Sequence, residues 1–135
     1  MTCDFMLDTN AVSKAAGGNY PALEKRISAY GPGELCLSAV TEGEILFGLA
    51  KTPEATRKAF LMRMMLSRFS ILPWTSETAA TYGHIRAEMR RRRRALSPLD
   101  MLIAAHALSV GATLVTNDGA FRFVPSLVVD DWSAT

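Results

Sequence analysis

Five short runs of apolar and β-branched residues recur along this chain, at Cys3–Leu7, Leu35–Leu37, Ile71–Leu72, Thr113–Thr116 and Leu127–Val129. Most are separated by stretches that carry helix start and stop signals. No two runs are joined by a two-residue Asn-Gly or Asp-Gly turn, the usual connection between antiparallel neighbours. Strands that alternate with helices pair in parallel, because a parallel neighbour needs a crossover of a dozen or more residues. The expected fold class is α/β, built on a mainly parallel sheet.

The helical segments are marked by their ends. One short helix is expected from about Ala11, and a second from Pro21 to Ala29, stopped by Gly31-Pro32-Gly33. Ser38 can cap a helix reaching about Leu49, with Glu42 in its early turns where the helix dipole favours carboxylates. Thr52-Pro53 reads as a cap followed by proline at the first helical position, opening a helix that ends near Phe69. Its methionines, Met62, Met64 and Met65, read as packing residues. A long helix is expected over Thr75–Arg94, and another from Pro98 to Gly111, which stops it.

At 135 residues, 49% of them hydrophobic, the chain is sized for a single domain over residues 1–135. No apolar run approaches the length of a membrane span, and the N-terminus lacks the pattern of a secretory signal, so a cytoplasmic protein is expected. In that compartment Cys3 and Cys36, both inside strand-like runs, read as small buried hydrophobes without a redox role. No Cys/His spacing suggests zinc. The net charge of +2 hides an asymmetry: Arg90, Arg91, Arg92, Arg93 and Arg94 stand in a row, and without them ten basic residues face thirteen acidic ones. The basic character is local, as for a patch that meets phosphate.

In an open parallel sheet, functional groups gather beyond the carboxyl ends of the strands. Asp8 ends the first run, in Phe5-Met6-Leu7-Asp8-Thr9-Asn10. Asp118 follows the Thr113–Thr116 run, Asp100 lies in the first turn of an apolar helix, and Glu42 and Glu44 sit early in the helix after the second strand. Taken singly, each acid could be a turn or cap residue. Glu42 and Glu44 are two positions apart, so only one can face a shared site, and periodicity does not choose between them. Converging acids repel unless a cation lies among them, and carboxylates without His or Cys suit Mg²⁺ or Mn²⁺. Such a metal acidifies a water and neutralises phosphoryl charge, so the acids and the basic patch together point to phosphodiester hydrolysis.

Four stretches, "FMLDTN", "LCLSAVTEGEILFGL", "GHIRAEM…SPLDMLIAAHAL" and "TLVTNDGAFRFVPSLVVDDW", resemble in order those of the PIN-domain ribonucleases, and among them the VapC toxins of bacterial toxin–antitoxin pairs. The resemblance implies a PIN-like three-layer α/β/α fold with a central parallel five-stranded sheet. It implies an acidic catalytic and metal site at Asp8, Glu44, Asp100 and Asp118, with Asp8 and Asp100 as principal Mg²⁺ ligands and Glu42 a bystander. Thr9, Asn10, Thr116 and Asn117 would support these acids through hydrogen bonds. It further implies an RNA substrate, transfer or ribosomal, a homodimer, and a VapB-type antitoxin as inhibitor. Two other readings stay open: a PIN-fold nuclease acting on DNA or structured nucleic acid, and a non-catalytic nucleic-acid- or partner-binding module.

The chain departs from the family pattern in one place. Where many relatives have a Gly-containing turn before the "PLD" motif, this chain has its five arginines. They suit either a solvated helix end or an RNA-phosphate contact. His106 reads as a core histidine and His84 has no evident partner, so metal-free cleavage by histidine is set aside.

Overall fold

The computed structural model describes residues 2–31 and 33–133. The chain runs β1 (Phe5–Leu7), α1 (Thr9–Gly17), α2 (Pro21–Ser28), β2 (Leu35–Ser38), α3 (Ala39–Ala50), α4 (Thr56–Leu66), β3 (Ser70–Leu72), α5 (Ser76–Arg91), α6 (Pro98–Val110), β4 (Thr113–Val115) and β5 (Val129–Asp130). A 3₁₀ turn at Gly119–Phe123 precedes β5. The five strands form one sheet in the order β3-β2-β1-β4-β5, every pairing parallel. From β1 the chain builds outward through β2 and β3, then crosses back to add β4 and β5 on the other side. Strand order therefore reverses between β1 and β4, and the register there sets Leu7 opposite Val115.

Side chains alternate across the strands and split the core in two. Met6, Cys36 and Leu114 face one layer, with Ile85 and Met89 of α5 and Ile103 and Ala107 of α6. Leu7, Leu37 and Val115 face the other, with Val12 of α1, Leu23 of α2, Ile45 of α3 and Met62 of α4. The result is the expected α/β/α sandwich about a parallel five-stranded sheet.

Ser38, Thr75 and Ser97 cap α3, α5 and α6 through their hydroxyls, and Gly111 closes α6 in the left-handed conformation. Three expectations need correction. Thr52 does not cap α4: its hydroxyl donates to the Gly48 carbonyl at the end of α3, and the helix starts only at Thr56, uncapped by a side chain. Of the α4 methionines, Met62 is buried but Met64 stays 55% exposed. Cys3 and Cys36 are buried as expected, yet they are joined in a disulfide, with Cα atoms 6.2 Å apart. Parallel pairing of β1 with β2, which sets Phe5 opposite Leu35, brings the two cysteines together. Pro32, one of the residues expected to stop α2, lies outside the described residues. Among the described residues, no helix is long and apolar enough to cross a membrane.

Candidate active site

The two central strands deliver Asp8 and Asp118 to the point where strand order reverses, the position at which open α/β sheets hold their ligands. Asp8 leaves β1 and caps α1, its Oδ1 accepting from Ala11 N–H at 2.9 Å. Its own N–H donates to the Val115 carbonyl at the end of β4. Thr116 completes the join: its hydroxyl donates to Asp8 Oδ2 and accepts from Asp118 N–H at 3.0 Å. Asp118 then caps the 3₁₀ turn through Ala120 N–H. One buried threonine thus ties the two strand-end acids together.

Asp100 enters from the first turn of α6, where Ser97 Oγ accepts its N–H at 3.2 Å. Glu44 enters from α3, its Oε1 accepting from Thr9 Oγ1 at 2.6 Å, one residue along from Asp8. Periodicity left Glu42 and Glu44 equivalent; only Glu44 bonds to the β1–α1 junction. Thr9 and Thr116 therefore each hydrogen-bond an acid. Asn10 and Asn117 are exposed and make no side-chain hydrogen bond among the described residues.

Asp8 is only 4% exposed. Burial pushes its carboxyl above the usual carboxylate range, and repulsion from Asp100 and Asp118 adds to this. The bonds from Thr116 and Ala11 work in the opposite direction. Among the described residues, no Lys or Arg forms an ion pair with Asp8, Glu44, Asp100 or Asp118. The same residues contain no three acids closed to ligand distance around one point. The acids share a field rather than a finished cage, and their all-oxygen, uncompensated donor set is of the type that hard divalent cations neutralise.

A groove of about 280 Å³ beside Asp118 is bordered by Asp130, Asp131 and Arg122. Asp130 ends the last strand and Asp131 follows it, as Asp8 follows the first, a signal that could have singled them out. Both are engaged locally, Asp130 with Trp132 Nε1 and Asp131 with Ser133. Arg122 had no such signal, since it lies in a 3₁₀ turn too short to show periodicity.

His84 is exposed and His106 is buried on α6. His106 Nδ1 lies 2.7 Å from Ser38 Oγ. Ser38 Oγ also accepts from Val40 N–H, so one hydroxyl joins the start of α3 to the imidazole. Among the described residues Nε2 has no hydrogen-bond partner, while the Pro73 carbonyl works against the effect of burial on the ring. Burial lowers the pKa of this ring.

The PIN domain profile matches residues 5–127. The chain belongs to the PIN-domain family, in its VapC branch. It is 35% identical to the tRNA(fMet)-specific endonuclease VapC of Shigella flexneri, over 96% of this chain and 98% of that one. It is 32% identical to ribonuclease VapC2 of Haemophilus influenzae strain Rd, over 95% of this chain and 97% of that one. Among solved structures it resembles a DNA-bound VapBC complex from Salmonella typhimurium, at 30% identity and a TM-score of 0.89, over 98% of this chain and 99% of that chain. It also resembles the promoter-bound VapBC2 complex of Rickettsia felis, at 25% identity and a TM-score of 0.85, over 95% of this chain and 98% of that chain. These PIN-domain and VapC relationships agree with the order of motifs in the sequence.

Proposed function

We propose that this protein is a Mg²⁺-dependent endoribonuclease, the toxin of a toxin–antitoxin pair, held inactive by a VapB-type antitoxin. The observation that carries the reading is the convergence of Asp8, Asp100 and Asp118 at the strand-order reversal, with Glu44 pinned to the Asp8 junction through Thr9. Asp8 and Asp100 would be the principal metal ligands, with Glu44 and Asp118 completing the set; Mn²⁺ suits the same oxygens. A divalent ion held there supplies charge neutralisation at the scissile phosphate and an acidified water. The protein's own part is positional. Thr116 fixes Asp8 and Asp118 relative to each other, Thr9 fixes Glu44, and the Ser97 cap sets the turn that bears Asp100.

Transfer RNA is the first substrate to test, because the Shigella relative is named for tRNA(fMet). The antitoxin reading is supported by the VapBC composition of the similar structures. It is also supported by large apolar side chains left exposed on α3 and α4: Phe47 at 65%, Phe60 at 63% and Met64 at 55%. A homodimer belongs to the same proposal.

Purified protein should cleave RNA and spare DNA of matching sequence when Mg²⁺ is present. Asp8→Asn should abolish that cleavage while leaving the circular dichroism spectrum unchanged. Wild-type cleavage rates in Asp8→Asn would remove the basis for this site.

A further inference from the structure

The five arginines do not form one patch. Helix α5 ends at Arg91, and Arg93 takes the left-handed conformation at φ 56°. Arg93 N–H then bonds to the Arg90 carbonyl, and Arg94 N–H to the Met89 carbonyl. This is the closure that usually relies on glycine at the left-handed position, and α6 makes it with Gly111. Arg91 and Arg92 turn back onto Glu88. Arg94 instead leaves the helix and lays its guanidinium 3.8 Å from the ring centroid of Phe123, which is still 46% exposed.

That stacked pair stands in a groove of about 570 Å³ lined by Arg92, Arg94, Arg122, Phe123 and Ser126, among others. Ser126 is left-handed too, at φ 66°; it and Arg93 are the two non-glycine residues with positive φ among the described residues. Ser126 lines the groove, and Arg93 lies between two residues that line it. No acid lines it, and neither Arg94 nor Arg122 has an ion-pair partner among the described residues. Arg122 also borders the groove that holds Asp118, so the two grooves share this residue.

We propose that this groove is a subsite for a single-stranded RNA segment running out of the acidic centre, with Arg94 and Arg122 on its phosphates and Phe123 stacking a base. The proposal rests on the ribonuclease reading above and assigns the contact to Arg94, Arg122 and Phe123 rather than to the whole arginine run. Alternating cations and an exposed aromatic ring match the alternation of phosphate and base in a single strand. An acidic protein segment would use the cations but leave the ring without a role, and the placing of Arg122 beside Asp118 favours the strand that is cut there.

The test measures binding of a short labelled single-stranded RNA by fluorescence anisotropy in chelator, over a range of salt, and cleavage kinetics with Mg²⁺. Arg94→Ala and Phe123→Ala should each weaken binding about tenfold, and Arg94→Ala should flatten the salt dependence by about 0.7 in log–log slope. Phe123→Tyr should bind as wild type does, and KM should rise in the alanine variants with kcat little changed. If Phe123→Ala unfolds, Arg94→Ala decides alone. Unchanged affinity and KM in a wild type that does cleave RNA would overturn the subsite and leave the ribonuclease reading standing. Loss of polyglutamate binding without loss of RNA binding would overturn it in favour of an acidic protein partner. A wild type that neither binds nor cuts RNA would end both readings.

Discussion

Asp8 caps α1, accepts from Thr116 and faces two other acids while almost wholly buried. The hydrogen bonds explain why the residue is tolerated there, and the like charge around it is what the proposed divalent cation would neutralise. Arg93 shows the same tension in the backbone, because a left-handed non-glycine residue costs about 1 kcal/mol or slightly more. Arg93→Gly should therefore raise stability by about 1 kcal/mol, read as a shift in the urea midpoint. An unchanged or lower midpoint would show that the arginine side chain compensates its own strain. His106 gives a pH prediction. Its folded pKa lies below the unfolded value of 6.5, so the unfolded chain binds the extra proton. This contribution to stability is present above pH 6.5 and is lost as pH falls below it. His106→Asn, which removes the titrating ring but keeps a side-chain amide to pair with Ser38, should lose that part of the pH dependence in thermal melts.

At the scale of elements, the Cys3–Cys36 disulfide ties the start of the chain to β2 across 33 residues of sequence. Closing a loop of that length stabilises a fold by roughly 3.7 kcal/mol in the chain-entropy view. Reductant, or Cys36→Ala, should lower stability by about 2–4 kcal/mol, measured by melting with and without dithiothreitol; equal midpoints would show that the bond adds nothing. The pairing was not legible in the sequence, because it depends on which strands are neighbours. The same holds for Thr52, whose Thr-Pro-Glu context has the composition of a helix cap although its hydroxyl is used by the preceding helix. Ser38 and Gly111 were legible because capping is local chemistry, settled within three or four residues. The 3₁₀ turn at Gly119–Phe123 was not, being too short for any periodicity.

Across the whole molecule, the alternation of short strands and helices was enough to read a parallel sheet, since crossover length leaves few other solutions. Strand order was not contained in that alternation; it emerges from how the two helical layers cover β1 and β4. The candidate site was partly legible. Acids at strand ends are visible in the sequence, and motif order singled out Glu44 over Glu42. Their coupling through Thr116, and the place of Arg122 between two grooves, exist only in the folded chain. The central claim is that the acids at the strand-order reversal form a metal-dependent nuclease centre. Its most direct test is the cleavage rate of initiator tRNA by wild type and by Asp100→Asn, each with Mn²⁺ and with excess chelator. The account predicts cleavage only for wild type with metal, restored when Mn²⁺ is added back after chelation. Cleavage by Asp100→Asn at the wild-type rate, or by wild type undiminished in chelator, would contradict it.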